Sequence, residues 1–452
     1  MGMLSTPLRS ALVFLVVAIS LVGCVDLPTQ GADEEAEVAF VGDKTRHFHL
    51  LDRAIVRAGG KTGGLADEVQ LLIGFSDTTV SANKIVSRYK IVSRYEYDTV
   101  FPGMATSVHP DSLEALIAAL LADPDIKWVE PDIPVSVIKR VKNKRRRGYG
   151  RGIGAFRQMM RYRGAQITPW SIRTIGAHKN LKRYREEETE DTVKVEVYVL
   201  DTGAAHKDLK VVECKEFEGG EPRPCRMHER LDLGSHGTEV AGIIAARDDT
   251  DGIVGVAPGT RIHAFNVLNE DGTAELSSII AVIEYLTERK LAKPFQPMVV
   301  NMSLGADVGT TAYNGLDEAI RASIEAGIVY VLSAGNEGID ASTVTPAHVV
   351  EAITVGAYGE THRFSWFSNY GPVVDLLAPG ENVETLSLGN SITITSGTSI
   401  AAPHVTGAVV LLLKENPNLD PPAVERELLA RSRPFVVGVP EGTTRRSVYV
   451  AP

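Results

Sequence analysis

From about residue 167 onward, two kinds of apolar stretch alternate along the chain. Short runs such as Val193–Leu200 are rich in β-branched residues, as buried parallel strands are. Longer stretches such as Ser277–Leu291 repeat apolar residues at intervals of three and four, which predicts helices. The alternation predicts an α/β fold with a mostly parallel sheet and helices on both faces. The predicted strands are 193–200, 261–268, 298–302 and 328–333, and the predicted helices are 236–246, 277–291 and 315–326.

Residues 67–138 follow a different order and predict a small α+β domain. Strands are expected at 68–75 and 126–130, with a strand at 97–108 that bends at Pro102-Gly103. Asp111 is expected to cap a helix that follows. Within this domain the hexapeptide KIVSRY occurs twice, at 84–89 and 90–95. Two copies do not make a repeat architecture, and no function is attached to them.

The first 23 residues have the features of an export signal. Arg9 precedes an apolar stretch, Ala11–Gly23, that is too short to span a bilayer comfortably. The stretch ends in Leu-Val-Gly-Cys24, which resembles the lipobox of bacterial lipoproteins, where the cysteine is acylated. The alternative is an ordinary secretory signal. Residues 24–66 are then a tether between the lipid and the folded domains.

Charge is distributed unevenly along the chain. The protein has 47 basic and 57 acidic residues, a net charge of −10, which argues against general binding of polyanions. Yet residues 139–164 contain eleven Lys or Arg and no acidic residue. Three interpretations compete: a nucleic-acid patch, a patch for anionic membranes, or a solvated linker meant to be cut. Aromatic residues in the run could stack on bases, but no nucleic-acid module surrounds it.

Besides Cys24, only Cys214 and Cys225 are present. In an exported protein, two thiols this close in sequence either form a disulfide or remain free. Neither has the spacing of a zinc site, and no other metal ligand set is indicated.

Three short motifs carry candidate chemistry. VLDTG places Asp201 at the end of a strand, SHGTEVAGIIAA places His236 at a helix start, and TSGTSIAAPHVTG places Ser399 before an apolar helix. Each motif alone is more often a turn or a helix cap. Together, in this order on an alternating α/β pattern, they resemble the subtilisin-like serine peptidases, especially the proteinase K-like branch, over about 167–452.

The resemblance implies a role for each of these residues. Ser399 would attack the scissile carbonyl, His236 would transfer the proton, and Asp201 would orient His236. A fourth motif, VLSAGNEG, places Asn336 where the family has a side-chain donor to the oxyanion. No cofactor is implied for the chemistry.

The resemblance also implies where a peptide substrate binds. Ser303, Leu304 and Gly305 would form an edge along which the peptide pairs as an extra strand. Ser333, Ala334 and Gly335 would line a side-chain pocket, whose small uncharged residues predict a broad, apolar-leaning preference. Two sites depart from the family pattern. Gly272-Thr273-Ala274 stands on the opposite wall, where relatives commonly have Gly-Ser-Gly, and His362 stands in place of a common calcium ligand. Structural calcium is therefore left open without an assigned site.

The small domain resembles the inhibitory pro-region of the family, through YDTVFPGMATSV and IKWVEPDIPVS. Its tail, about 132–137, would block the cleft, residues 139–166 would be a processing linker, and cleavage is expected between 140 and 168. The chain is therefore interpreted as a self-inhibited serine endopeptidase of the bacterial envelope, anchored through Cys24 and acting on proteins or peptides, with no nucleic-acid partner. Release of the mature peptidase is left open. The rival hypothesis is a binding protein on an inactive peptidase scaffold.

Overall fold

A computed structural model describes residues 68–138, 166–180, 193–218, 221–225, 235–269, 271–309 and 315–451. The predicted export signal with Cys24, the predicted tether and most of the basic segment 139–166 lie outside these residues. Within the described ranges, no helix is both long enough and apolar enough to cross a bilayer.

The first folded part is a four-stranded antiparallel sheet packed against two helices. Its elements are β1 Val69–Phe75, α1 Ala82–Tyr89, β2 Val92–Tyr97, β3 Gly103–Val108, α2 Pro110–Ala122 and β4 Ile126–Pro131. The strand order is β2-β3-β1-β4. Helix α2 has His109 as its N-cap, whereas the sequence suggested Asp111. His109 fills this role because its ring nitrogen accepts from the Asp111 amide, while Pro110 occupies the first helical position.

The prediction of one bent strand over residues 97–108 is wrong. Strands β2 and β3 are the two arms of an antiparallel hairpin. In the turn between them, the three amides of residues 98–100 donate to the carboxylate of Glu284 at 2.6–3.0 Å. Val100 and Phe101 lie in this turn and are buried, so they resemble strand residues in the sequence.

The second part contains an eight-stranded sheet. The strands from residue 134 onward are β5 Pro134–Val137, β6 Glu196–Asp201, β7 Lys210–Glu218, β8 Glu221–Pro224, β9 Arg261–Asn266, β10 Thr273–Glu275, β11 Met298–Met302, β12 Leu304–Asp307, β13 Ile328–Ser333, β14 Val344–Thr345, β15 Ile353–Tyr358, β16 Leu376–Pro379, β17 Val383–Ser387 and β18 Ser391–Thr395. The sheet order is β16-β15-β13-β11-β6-β9-β7-β8, and only β8 pairs antiparallel.

Helices cover both faces of this sheet. They are α3 Trp170–Thr174, α4 His236–Ala245, α5 Leu276–Ala292, α6 Gly315–Glu325, α7 Thr398–Glu415 and α8 Pro421–Arg431. Val197 and Val199 of β6 belong to the core formed with α4 and α7. Tyr198 and Leu200 belong to the core formed with α5 and α6. The predicted mostly parallel sheet with helices on both faces is confirmed, and burial of both faces explains the unbroken apolar runs.

A smaller sheet joins the two parts of the chain. Strand β5, which directly follows the first part, lies between β10 and β12 and runs antiparallel to both. Beyond the strand, the amide of Ile138 donates to the carbonyl of Ser303 at 3.2 Å. The tail of the small domain is thus held by backbone hydrogen bonds between two strands of the larger part.

At the edge of the large sheet, Cys214 of β7 and Cys225, which follows β8, form a disulfide. Of the two alternatives that the sequence left open, the structure contains the bridge. It closes the β7–β8 hairpin.

Candidate active site

Asp201 is the last residue of β6, a central strand of the sheet. Parallel α/β sheets bind ligands beyond this carboxyl end of their strands. Its side chain is buried, and Oδ1 accepts hydrogen bonds from the amide of Thr202 at 2.8 Å and from the Thr202 hydroxyl at 3.3 Å. These two donors fix the orientation of the carboxylate.

His236 is the first residue of α4 and is also buried. Its Nδ1 lies 2.8 and 2.9 Å from the two carboxylate oxygens of Asp201. Because a carboxylate only accepts, Nδ1 carries the proton, and in the neutral ring Nε2 has the lone pair of a base. The close approach depends on Gly237, where a Cβ would lie 1.8 Å from the carbonyl oxygen of Gly203.

Ser399 is the second residue of α7 and is fully buried. Its Oγ has no hydrogen-bond partner among the described residues. Amides at a helix start lack partners within the helix, and the positive end of the helix dipole lies there. A Cβ at Gly397 would lie 2.8 Å from Ser399 Oγ and 3.1 Å from Nδ2 of Asn336, so both atoms border one small space.

The orientation of the Asn336 side chain follows from Thr398. Oδ1 of Asn336 accepts from the amide of Thr398 at 2.8 Å and from its hydroxyl at 3.0 Å. Two donors identify this atom as the oxygen, so Nδ2 is the atom that faces Gly397 and Ser399. The hydroxyl of Thr398 also accepts from the amide of Gly335 at 3.0 Å, which joins the Asn336 loop to the start of α7.

The three residues expected to form a substrate edge divide into two groups. Leu304 and Gly305 lie in β12 and pair with residues of β5. Ser303 is fully buried, and its hydroxyl donates to the carbonyl of Ser399 at 3.2 Å and accepts from Asn301 at 3.0 Å. Its side chain therefore positions Ser399, while its carbonyl binds the tail.

The three residues expected to line the side-chain pocket lie together at the end of β13. Ser333 is its last residue, and Ala334 and Gly335 follow it. All three are buried, and Gly335 has a φ of +107°, a backbone conformation that favours glycine.

Sequence reasoning assigned no role to Thr202, Thr398 or Asn369, which hold the site in place. Thr202 binds Asp201 and the amide of Gly237, and Thr398 orients Asn336. The available signal was position, because each is a small polar residue inside one of the motifs DTG, GTS and FSNYG.

Among the described residues, no group of three His, Cys, Asp or Glu side chains is arranged to hold a metal ion. The ring of His362 packs against Phe435, with 4.6 Å between the ring centroids.

The chain is similar to known serine proteinases. Residues 192–444 match the Subtilase family (Peptidase_S8). Subtilisin DY of Bacillus licheniformis is 37% identical over 270 residues, which cover 58% of this chain and 91% of that protein. The extracellular serine proteinase of Thermus sp. strain Rt41A is 33% identical over 321 residues, covering 69% of this chain and 72% of the relative.

The fold is also similar to that of a solved structure. The crystal structure of fervidolysin from Fervidobacterium pennivorans, a keratinolytic enzyme related to subtilisin, aligns with a TM-score of 0.66 at 27% identity. The alignment covers 87% of this chain and 61% of fervidolysin. With a family match over more than half of its length, this chain belongs to the subtilase family and is a serine endopeptidase.

Proposed function

We propose that the chain is the self-inhibited precursor of an exported, lipid-anchored endopeptidase in which Asp201, His236, Ser399 and Asn336 carry the reaction. Ser399 Oγ attacks the carbonyl carbon of the scissile bond, and its proton moves to Nε2 of His236. Asp201 holds the opposite ring nitrogen and stabilises the imidazolium that forms. A serine hydroxyl is a weak nucleophile without such a base.

The negative charge that develops on the substrate oxygen is stabilised by two donors, Nδ2 of Asn336 and the amide of Ser399. When the tetrahedral intermediate collapses, His236 returns the proton to the leaving amine. This releases the first product and leaves the other half of the substrate as an ester on Ser399. A water molecule, deprotonated by His236, then hydrolyses the ester by the same steps.

The single observation that carries the proposal of self-inhibition is the position of β5. A peptide bound as an extra strand between β10 and β12 is the form a substrate would take. Here the register pairs Val137 with Leu304 and Ser136 with Gly305. The tail therefore occupies the groove that a substrate would need.

Buried polar contacts attach the small domain to the peptidase. The carboxylate of Asp132 accepts from the amide of Ser277 at 3.0 Å, at the start of α5. Glu130 accepts from the amide of Gly315 at 2.7 Å, at the start of α6. Burial raises the pKa of Asp132 to about 7 and that of Glu130 well above its usual value, so both carboxyl groups support docking as hydrogen-bond acceptors for these helix-start amides.

The same register indicates which bond is cut first. Ile138 is the residue whose amide binds the carbonyl of Ser303, and Ser303 in turn bonds to Ser399. We therefore assign the first cut to the bond between Ile138 and Lys139, two residues before the range expected from the sequence. A later cut before Gln166 removes the basic linker, and the following segment resembles the start of mature proteinase K-like chains.

The test compares purified wild type with Ser399→Ala by intact mass and N-terminal sequencing. Wild type should yield a new N-terminus at Lys139, while Ser399→Ala should remain one chain across this bond. The same cut in both proteins, or a first product that is still joined beyond residue 140, would contradict self-processing at this bond.

Ile138→Asp with Val92→Asp as its control tests the docking directly. Ile138 is 5% exposed and Val92 is 68% exposed, so the same charge is buried in one case and solvated in the other. Burying an unpaired carboxylate is costly, so the first cut should slow only in Ile138→Asp. Equal rates in the two variants would remove Ile138 from the cleft.

The substrate preference is proposed from the pocket and the tail together. Ser333, Ala334 and Gly335 carry no charge, and the tail presents Val135 and Ile138, both buried, to the peptidase. Peptides with a large apolar residue before the scissile bond should have a higher kcat/KM than matched peptides with Asp or Lys there. A preference for a charged residue would contradict this.

For structural calcium, one cluster of oxygen atoms supports a proposal. Nε2 of Gln166 donates to the carbonyl oxygens of Arg247, Asp251 and Ile253 at 2.6–3.4 Å, so three carbonyl oxygens converge on one point. Oδ2 of Asp208, which would lie 2.9 Å from a Cβ at Gly252, is buried and has no hydrogen-bond partner among the described residues. Calcium binds such carbonyl and carboxylate oxygens, and the ion would have no part in the chemistry.

Thermal unfolding in the Ser399→Ala background tests this site. Calcium should raise the Tm relative to EDTA, and Asp208→Asn should remove most of that difference, whereas the surface variant Asp271→Asn should keep it. An equal Tm in EDTA and in calcium would reject the site.

Export is proposed from the extracellular relative, and the anchor from the sequence around Cys24, which lies outside the described residues. In the Ser399→Ala background the anchor and the peptidase stay joined. Ser399→Ala should therefore fractionate with membranes, and Cys24→Ser in that background should not. Unchanged fractionation would exclude lipidation as the tether.

A further inference from the structure

We infer that Asn369 is a positioning residue for the oxyanion donor Asn336, acting through the backbone of the loop that carries it. The inference rests on the proposed role of Asn336. Asn369 lies in the segment after β15, more than 30 residues from Asn336 in sequence, and its side chain is fully buried.

Asn369 uses both ends of its amide to bind the loop on either side of Asn336. Nδ2 donates to the carbonyl of Ala334 at 2.9 Å. Oδ1 accepts from the amides of Glu337 at 3.0 Å and Ile339 at 3.1 Å. One side chain therefore holds the backbone both before and after Asn336, so the conformation of the loop depends on Asn369.

A second connection runs through the carboxylate of Glu337. Its Oε2 accepts from the amide of Asn336 at 2.8 Å and from Nδ2 of Asn369 at 2.9 Å. Asn369 thus holds the carboxylate that holds the backbone of Asn336. Glu337 is itself exposed, so this second link depends on the buried Asn369 to hold the Glu337 side chain in place.

The loop is built for this contact. A Cβ at Gly335 would lie 2.1 Å from Nδ2 of Asn369 and 2.7 Å from Oε2 of Glu337. The backbone amide of Asn369 also donates to the carbonyl of Gly335 at 2.9 Å. Glycine at position 335 is therefore required both by its positive φ and by the close approach of Asn369.

Three residues together position the oxyanion donor. Thr398 binds the side-chain oxygen of Asn336 and sets the direction of Nδ2. Asn369 and Glu337 set the position of the backbone from which that side chain extends. Because stabilisation of the oxyanion depends on donors already in place, loss of Asn369 should lower kcat and leave KM nearly unchanged.

The experiment is a double-mutant cycle of wild type, Asn336→Ala, Asn369→Ala and the double variant. Each is produced as the full chain, matured to completion and quantified by active-site titration. The kcat and KM are then measured on one chromogenic peptide. Asn336→Ala should lower kcat by about 10²–10³-fold, the loss known for removing such a donor from subtilisin.

Asn369→Ala should lower kcat by about 10- to 100-fold, less than the loss of the donor itself. In the Asn336→Ala background it should change kcat by less than about threefold, because no donor remains to be positioned. An equal loss in both backgrounds would reduce Asn369 to a general structural role and overturn the inference. If Asn336→Ala itself has the kcat of wild type, the proposed oxyanion donor fails instead.

Asn369→Asp keeps the size and Oδ1 of the side chain and serves if the alanine variant does not fold. It loses the donor to Ala334 and places a second carboxylate against Glu337. Its kcat should be lower than that of wild type, and the deficit should shrink as the pH falls and the two carboxyl groups share a proton. A wild-type kcat at every pH would overturn the inference.

Ser323→Ala is the matched control for lost stability. Ser323 of α6 is fully buried, and its side chain bonds to Thr287 and Tyr330 at 2.9 Å rather than to the loop that carries Asn336. It should lower the Tm without changing kcat per titrated site. A comparable loss of kcat in this control would show that the cycle reports on stability alone.

Discussion

Strand β6 contributes a carboxylate to each of two buried histidines, one at either end of the strand. Asp201, the last residue of β6, binds His236. Glu196, the first residue of β6, binds His263 of the neighbouring strand β9. One pair therefore lies at the carboxyl edge of the sheet, where ligands bind, and the other lies toward its amino edge.

The two pairs differ in how many ring nitrogens are held. At His236, both oxygens of Asp201 approach Nδ1. At His263, Nδ1 lies 2.6 Å from Glu213 of β7, and Nε2 bonds to Glu196. Since both partners of His263 only accept, both of its nitrogens must donate, and the ring is an imidazolium.

The pKa values of this second cluster follow from the same contacts. Burial alone would lower the pKa of His263, but its hydrogen bonds to Glu196 and Glu213 outweigh burial and raise it above 6.5. Burial opposes ionisation of Glu213, yet hydrogen bonds from His263 and Arg289 lower the pKa of Glu213 to about 2. A histidine with both nitrogens donating has no lone pair for a substrate proton. Burial beside a carboxylate is therefore not sufficient for catalysis.

The largest expected effect is on kcat, from a substitution in the Asp201–His236 pair. In Asp201→Asn, the amide group can donate to Nδ1, which favours the tautomer with the proton on Nε2. His236 then cannot accept the proton of Ser399, and kcat should fall by about 10⁴-fold.

The measurement is kcat on a chromogenic peptide, with circular dichroism to check the fold. Glu351→Gln is the control, because this carboxylate is paired with Arg321 at the surface. More than a tenth of the wild-type kcat in Asp201→Asn would contradict the assigned role.

The sheet could be predicted from sequence because both of its faces are buried, so apolar runs mark the strands. The two copies of KIVSRY mark the limit of that reasoning. Residues 84–89 lie in helix α1, which begins after the N-cap Ser81, whereas most of 90–95 lies in strand β2. Identical residues adopt different structures here, since the second copy pairs with β3 and the first is capped as a helix.

The residues of the candidate site likewise differ in how well the sequence predicts their roles. Asp201, His236, Ser399 and Asn336 stand in motifs whose order along the chain is informative. The position of Asn369 in the motif FSNYG indicates a special residue but not its role, and Glu284 lies in no motif. Both roles come from backbone amides that folding brings to these side chains.

The second effect concerns the structural pair and should separate stability from catalysis. Glu213→Gln removes one carboxylate from the His263 imidazolium and from Arg289, which lies 2.8 Å away. Hydrogen bonds to charged groups contribute about 1.5–3 kcal/mol, so the free energy of unfolding should fall by about that amount. The kcat of the matured enzyme should stay within about twofold, because the cluster does not touch the reacting atoms.

Unfolding is measured in urea in the Ser399→Ala background, which prevents self-digestion. Glu216→Gln is the matched control, since this carboxylate lies in the same strand and has no ion pair among the described residues. An equal loss of stability in the control, or a loss of kcat comparable to that of Asp201→Asn, would remove the distinction between the two histidines.

The smallest effect is the pH dependence of stability that His263 should impose. A pKa raised on folding means that the folded state binds a proton more tightly, so this contribution is fully present below pH 6.5. It is lost as the pH rises through the pKa of folded His263, by about 1.4 kcal/mol for each unit between the two pKa values. The groups that face the ring are Glu196, Glu213 and the stacked ring of Tyr198. The cations paired with these carboxylates are Arg261 at Glu196, and Arg289 and Lys215 at Glu213. Urea unfolding of Ser399→Ala across this range should therefore show a fall in stability above pH 6.5.

In Ser399→Ala with Glu213→Gln, the fall should be smaller, because one of the two carboxylates that raise the pKa of His263 is gone. Parallel pH profiles for the two proteins would mean that His263 is not the titrating group, and the histidines would then differ in position alone.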